Sequence, residues 1–393
     1  MFRFLTAGES HGPALVGIVD GVPAGLALDF EALSAQMQRR QGGYGRGRRM
    51  QIEADEVEFM AGVRGGMTLG SPLAMIIRNK DFDNVRELMD PRTGGGPPIT
   101  RPRPGHADYA GAVKYRHRDL RNVLERASAR ETAMRVAIGE IARQYLGLID
   151  VAVSGYVLQI GDVEAAEPER TPERSDLDSS PVRCHDARAS AAMVARIDSA
   201  KSSGDTLGGV FAICASGLPV GLGANRQPPD RLDARIAAAV MSVQTVKALE
   251  IGTGISSGGY VGSRSHDTFE PGDGAPARGS NRAGGIEGGM SNGQDIVIRV
   301  RVKPIATLMK PLASVDLTTG ETAKATIVRS DVCAVPAASI IAEAMVCMAL
   351  AEAASEKYGA DSVEELRANF EASQKGARAL FAPQKHEKPA NDS

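Results

Sequence analysis

A chain of 393 residues with 42% hydrophobic side chains can fill a large core, which excludes wholesale disorder. A formal charge of −2, no tryptophan and 4% aromatics exclude a broadly basic nucleic-acid surface and a base-stacking platform, so clustered arginines point to small anionic ligands. Four cysteines without CxxC spacing read as buried thiols of a reduced, cytoplasmic protein, and neither a signal peptide nor an apolar run of membrane-spanning length is expected.

In chain order, the run ALVGIV at 14–19 predicts a short buried strand. Asp29 can cap a helix over 30–40 that carries Leu33 and Met37 on one face. Arg39, Arg40, Arg46, Arg48 and Arg49 follow among four glycines, a composition that predicts a mobile basic loop outside the core. Strands are expected at 52–59 and 73–78, with the glycines at 65–70 as the turn between them. Residues 82–105 are rich in Gly, Pro and Arg and predict a long irregular loop of the kind that serves as a lid. Ser128 and Glu131 fit the S-x-x-E capping box at the start of a helix. Free N–H groups at such a start, flanked by Arg126 and Arg130, suit a phosphate; an ordinary capped helix behind a basic loop is the other reading.

The second half repeats the first. GLPVGL at 217–222 echoes GVPAGL at 21–26, each after an apolar run. The glycine-rich stretch 283–293 echoes 61–70, and a helix from Asp230 or Asp233 through Val246 answers the first helix. Helices from Ser128 and from about Val335 close the two halves. The expected organisation is one α+β domain over 1–375, with pseudo-repeats at about 1–160 and 205–370, a linker near 162–205 and a flexible tail over 376–393.

Two histidines sit in polar, glycine-flanked loops, His11 in GESHG and His106 in PGHAD. Histidine titrates near neutrality and is the commonest general acid or base. Ser10, His106 and Asp108 offer the residue types of a hydrolytic triad, but no G-x-S-x-G elbow accompanies them. A phosphate-binding P-loop motif is missing, and Gly252 and Gly254 lack the third glycine of a dinucleotide fingerprint.

Taken together, these motifs resemble the chorismate synthase family. The resemblance rests on GESHG running to VDGVPAG at 19–25, on RPGHADY at 103–109 with SARETA at 128–133, and on Arg329-Ser-Asp331 running to Glu343. It covers about residues 1–370; Ala127 departs from it, standing where many members have a second serine. The resemblance implies a β-α-β sandwich with two pseudo-symmetric halves, assembled as a homotetramer. It implies a 1,4-anti elimination of phosphate from 5-enolpyruvylshikimate 3-phosphate to give chorismate, with reduced FMN and no net redox change. His11 would give the leaving phosphate its proton, His106 would be a proton donor or an electrostatic partner to reduced flavin, and Asp331 the acid that helps move the ring proton. Flavin contacts would fall on Arg126, Ala127, Ser128, Gln244, Thr245, Gly288, Lys303, Pro304, Ile305, Ala306, Thr307 and Arg329. Arg40 and Arg46 match positions of a nicotinamide cofactor, NADPH, the possible flavin reductant, although substrate binding explains them equally well. Ser10, Arg39, Arg48, Arg49, Arg103 and Arg130 would hold the substrate. An RNA-associated Arg-Gly protein and a non-catalytic FMN-binding homologue are the alternatives, opposed by the charge balance and by the intact His11, His106 and Asp331.

Overall fold

The computed structural model describes residues 1–47, 55–272, 276–328 and 330–380. Arg3–Ala7, Ala14–Asp20, Leu73–Arg78 and Glu58–Ala61 form a four-stranded antiparallel sheet in that spatial order. Its inner face carries Leu15, Val19, Leu73, Met75 and Ile77, all fully buried. The 14–20 strand alternates, with Val16 and Ile18 on the outside, so it is buried on one face only and not throughout. Val246–Ile251, Ile296–Val302, Gly209–Ser216, Ala152–Ile160 and Val163–Glu164 form a second, five-stranded antiparallel sheet.

Two helices lie between the sheets. Thr132–Gly147 packs on the first sheet, Val335–Tyr358 packs on the second, and they pack on each other. Two glycines permit these approaches. A Cβ on Gly17 would meet the Met134 sulfur at 2.5 Å, and one on Gly139 would stand 2.2 Å from the Ala344 Cβ. The 335–358 helix is long and apolar enough to cross a membrane, contrary to the expectation that no run reaches that length, but 94% of its apolar window is buried inside the fold.

The two halves share a detailed turn. Thr68 Oγ1 donates to Pro23 O (2.6 Å) and accepts from Leu26 N (2.9 Å). Ser291 Oγ donates to Pro219 O (2.6 Å) and accepts from Leu222 N (2.8 Å). Gly25 N and Gly221 N donate to the Thr68 and Ser291 carbonyls, and both glycines sit at φ 86°.

Several expectations change. Asp29 caps Phe30–Gln41 by accepting from Ala32 N, but this helix includes Arg39 and buries Arg40, so the basic stretch begins inside the fold. Residues 82–105 contain the helix Phe82–Met89, and the linker region contains Arg174–Ser179 and Ala187–Ser202. The helix of the second half spans Leu232–Met241, and Val246 opens a strand. Helix Val363–Leu380 runs past 375; the remaining tail, 381–393, and residues 52–54 of the expected strand lie outside the described residues.

Candidate active site

The start of the 132–147 helix organises the site. Ser128 is extended, and its Oγ accepts from Arg130 N (3.2 Å), capping a short 3-10 turn at Ala129–Glu131 that leads into the helix. The reciprocal half of the capping box does not form. Glu131 turns away to bind Arg135 (2.9 Å) and to accept from Gln244 Nε2 (2.7 Å).

The His11 loop docks on the residues just before this turn. Ser10 N donates to Glu125 O (3.0 Å), and Ser128 Oγ donates to Ser10 Oγ (3.1 Å). His11 N and Nδ1 both meet the buried Glu125 carboxylate, at 2.8 and 2.9 Å. Asn79 clamps the loop, its amide reaching the carbonyls of Glu9, Ser10 and Gly12, while its oxygen accepts from Arg130 Nε (2.9 Å). Hence His11 and Arg130 share one frame of hydrogen bonds, built from the 9–12 loop, Asn79 and the 125–130 stretch.

Beside it lies a buried cationic cluster. Arg130 also bonds Asp55, whose other oxygen stands 3.5 Å from Arg40 Nη1. Arg40 is 2% exposed and donates to Thr132 Oγ1 and the Ala129 carbonyl. Burial, with Arg46 and Arg130 close by, pushes the Arg40 guanidinium down to about 10, against the pull of Asp55 and Asp331, so it remains charged at neutral pH. Arg46 Nη1 and Gly47 N both bind the Asp331 carboxylate. Among the described residues, Arg40 and Arg130 share Asp55 while Arg46 binds Asp331, and guanidinium groups gathered in this way suit an anion.

A second histidine faces a further carboxylate. His106 Nδ1 bonds Asp108, which also binds Arg103 through Nε (2.9 Å), Nη2 (3.0 Å) and the backbone N–H (3.0 Å). Burial opposes ionisation of Asp108, but these hydrogen bonds outweigh it and hold the carboxyl well below the usual carboxylate range. Arg103 Nη1 reaches Thr307 Oγ1 (3.1 Å), and Lys303 Nζ reaches the Gly105 carbonyl. Ala306 lies beside Gly105, and the Ile305 carbonyl accepts from Thr206 Oγ1 (2.8 Å).

Backbone contacts join these groups. Lys303 N donates to Thr245 O (2.9 Å), and Gln244 reaches Glu131, so the 303–307 stretch is tied to the helix start. Thr245 sits at φ 75°, a strained position for a β-branched residue, which aims the 244–245 turn at the site. Leu207 N donates to Val332 O (2.9 Å), next to Thr206 on one side and Asp331 on the other.

The structure therefore gathers Ser10, His11, Arg40, Arg46, Arg103, His106, Ala127, Ser128, Arg130, Gln244, Thr245, Lys303, Pro304, Ile305, Ala306, Thr307 and Asp331 through one chain of contacts. Arg126 borders them, exposed, its guanidinium bonded to Thr6 and to the Gly8 carbonyl. Two expected members are elsewhere. Arg39 belongs to a separate buried cluster, bonded to Gln36, Asp178 and Glu343. Gly288 lines a cavity with His266, Asp267 and Arg282, and no described hydrogen bond ties it to residues 126–131. Arg48, Arg49 and Arg329 lie outside the described residues. Sequence reasoning missed Asp55, Asn79 and Glu125, the buried partners that set these geometries. No local pattern marks them: Asp55 is followed by Glu56, Asn79 lies between Arg78 and Lys80, and Glu125 is followed by Arg126.

Comparison with known proteins follows the geometry. The sequence model of the chorismate synthase family matches residues 2–354. A chorismate synthase of Desulforudis audaxviator is 52% identical over 375 residues, covering 94% of this chain and 96% of the relative. One of Symbiobacterium thermophilum is 52% identical over 388 residues, covering 94% and 97%. A crystal structure of a chorismate synthase superimposes with a TM-score of 0.78 at 37% identity, covering 96% of this chain and 98% of the other.

Proposed function

The chain belongs to the chorismate synthase family of carbon–oxygen lyases that act on phosphates, and from that premise we propose that it converts 5-enolpyruvylshikimate 3-phosphate to chorismate with reduced FMN bound. The observation that carries this reading is a continuous network of contacts that links two carboxylate-bonded histidines to the helix start where Arg40 and Arg130 are buried. The substrate has a phosphate and two carboxylates, and planar guanidinium forks match both groups.

In this reading Arg40, Arg46 and Arg130 hold the substrate's anionic groups, with Ser10 beside them. Arg48 and Arg49 are assigned to the same task by their motif. The deep burial of Arg40 favours the substrate over a nicotinamide ring as its ligand, so NADPH acts, if at all, as an external reductant of the flavin. His11 delivers a proton to the phosphate as its ring C–O bond breaks. Asp331, bonded to Arg46 and to the Gly47 N–H, helps move the ring proton. His106 acts as a proton donor or as an electrostatic partner to the reduced flavin.

The residues fit FMN. Arg126, the Ser128 turn, Gln244–Thr245 and Lys303–Thr307 would hold it, offering cationic groups and helix-start N–H groups to an anionic cofactor. Reduced flavin would supply transient electron density to the substrate ring; the protein supplies position, charge and protons. Arg329 is assigned there by its motif, and Gly288 would reach the flavin only from another copy or after a rearrangement.

We also infer one catalytic domain built by duplication, which the matching Thr68 and Ser291 turns support. A homotetramer is supported by the outer face of the first sheet, where Leu5 is 70% and Ile18 43% exposed and a second copy could cover them. Four buried free thiols fit a reducing cytoplasm, and neither nucleic acid nor membrane is assigned as a partner.

The test is an anaerobic assay with photoreduced FMN, the phosphorylated substrate and no NADPH. Chorismate and phosphate should appear in equal amounts. Absence of both would overturn the proposal. Repeating the assay in air with NADPH then separates an enzyme that reduces its own flavin from one that relies on an outside reductase.

A further inference from the structure

We propose that Glu125 is the positioning residue of His11, fixing which imidazole nitrogen carries the proton and where the ring points. This inference rests on His11 as the proton donor to the leaving phosphate. Three bonds join residue 125 to the 10–11 peptide: Ser10 N to Glu125 O (3.0 Å), His11 N to Oε2 (2.8 Å), and His11 Nδ1 to Oε1 (2.9 Å), with Oε2 also at 3.0 Å from the same nitrogen. The backbone and the ring of His11 are therefore held by one side chain. A carboxylate only accepts hydrogen bonds, so Nδ1 must carry a hydrogen and Nε2 becomes the nitrogen that exchanges a proton with the substrate.

Burial sets the direction. The Glu125 side chain is 4% exposed and the His11 side chain 29%, so the carboxylate is the buried partner and the ring the accessible one. Comparison with the other histidine sharpens the assignment. Asp108 divides its charge between His106 and Arg103, three of whose nitrogens bind it. Among the described residues, every side-chain hydrogen bond of Glu125 goes to His11. Its carboxylate is thus aimed at one imidazole, the arrangement that orients a ring and selects its tautomer. A helix-capping role does not explain the geometry, because Glu125 lies at the C-terminal end of the short helix Arg121–Leu124, where a negative charge is unfavourable.

Glu125→Gln, Glu125→Asp and His11→Ala decide the matter, assayed as holoenzyme with reduced FMN and the phosphorylated substrate. Glu125→Gln should lower kcat by about 10²-fold while leaving KM little changed. Glu125→Asp should recover part of the loss, and adding Glu125→Gln to His11→Ala should slow turnover no further. Independently of turnover, 15N NMR of histidine-labelled protein should show His11 protonated at Nδ1 in the natural chain and should show that signature lost in Glu125→Gln. A raised KM with unchanged kcat, or losses that multiply in the double variant, would overturn the inference. So would an Nε2-protonated neutral His11 in the natural chain, a result that needs no variant to fold. If the natural chain makes no chorismate, the proposed function fails, and the NMR measurement still decides the role of Glu125.

Discussion

Replacing Glu343 tests how the site is anchored. This carboxylate is 1% exposed and gathers Arg39 Nη1 (3.3 Å), Arg143 Nη2 (2.9 Å), Arg183 Nη2 (3.0 Å) and the Gly155 N–H (2.9 Å). Burial alone would raise its pKa, but Arg39, Arg183 and Arg143 together hold it below the ordinary carboxylate range. Glu343→Gln keeps the shape and one acceptor, removes the charge and turns amide hydrogens toward guanidinium donors. The three arginine side chains are 10%, 15% and 7% exposed, so water cannot replace the lost partner. Breaking one side of such a buried cluster costs about 3–5 kcal/mol. Urea unfolding at pH 7 should therefore show a lower midpoint with an unchanged slope. A folded-state pKa held below its unfolded value gives stability that is present above the unfolded pKa, about 4.3 for glutamate, and is lost as pH falls through the folded value. The gap between natural chain and variant should consequently close as pH drops below about 4. Since Arg39 and Arg40 are neighbours, loosening Arg39 should also weaken substrate binding. Equal midpoints at pH 7, or a gap independent of pH, would show that the cluster does not anchor the fold.

The remaining predictions concern the proposed site. His11→Ala and His106→Ala should each lower turnover about 10²-fold or more while the protein stays folded; near-full turnover in both would make the histidines structural. FMN should bind more tightly in the presence of the phosphorylated substrate, and by linkage the substrate should gain equally from FMN; titrations giving equal affinities with and without the partner would refute this. Ser128→Ala should cost roughly 1 kcal/mol of stability through the lost cap, whereas Arg126→Ala, an exposed side chain, should weaken FMN with little change in unfolding. Reversal of those two effects would remove the cofactor from this turn.

Local pattern made much of the fold legible. Asp29 followed by apolar residues at 33 and 37 gave a correctly placed helix, because cap and stripe are set within one turn of chain. The glycine-rich echoes pointed to turns that share their hydrogen bonds in both halves, because a positive φ leaves few residue choices. The helix at 82–89 was hidden by flanking Gly and Pro. The helices at 174–179 and 187–202 were hidden by polar composition, since only one face of each finds a core.

The site was legible as a set of residue types and illegible as a set of partners. Arg39 and Arg40 are adjacent, chemically identical and equally consistent with a mobile basic loop. A step of about 100° around the helix sends one toward Asp178 and Glu343 and the other toward Asp55 and Thr132. An arginine can be buried only where a carboxylate waits for it, and for Arg40, Arg46 and Arg130 that carboxylate comes from a distant part of the chain. The net charge of −2 already requires that the arginines be matched by acids, but composition does not say which acid meets which arginine. That pairing is a property of the two sheets and the helices between them. The same holds for His11: its motif marks the residue, while the carboxylate that holds its ring, Glu125, lies 114 positions along.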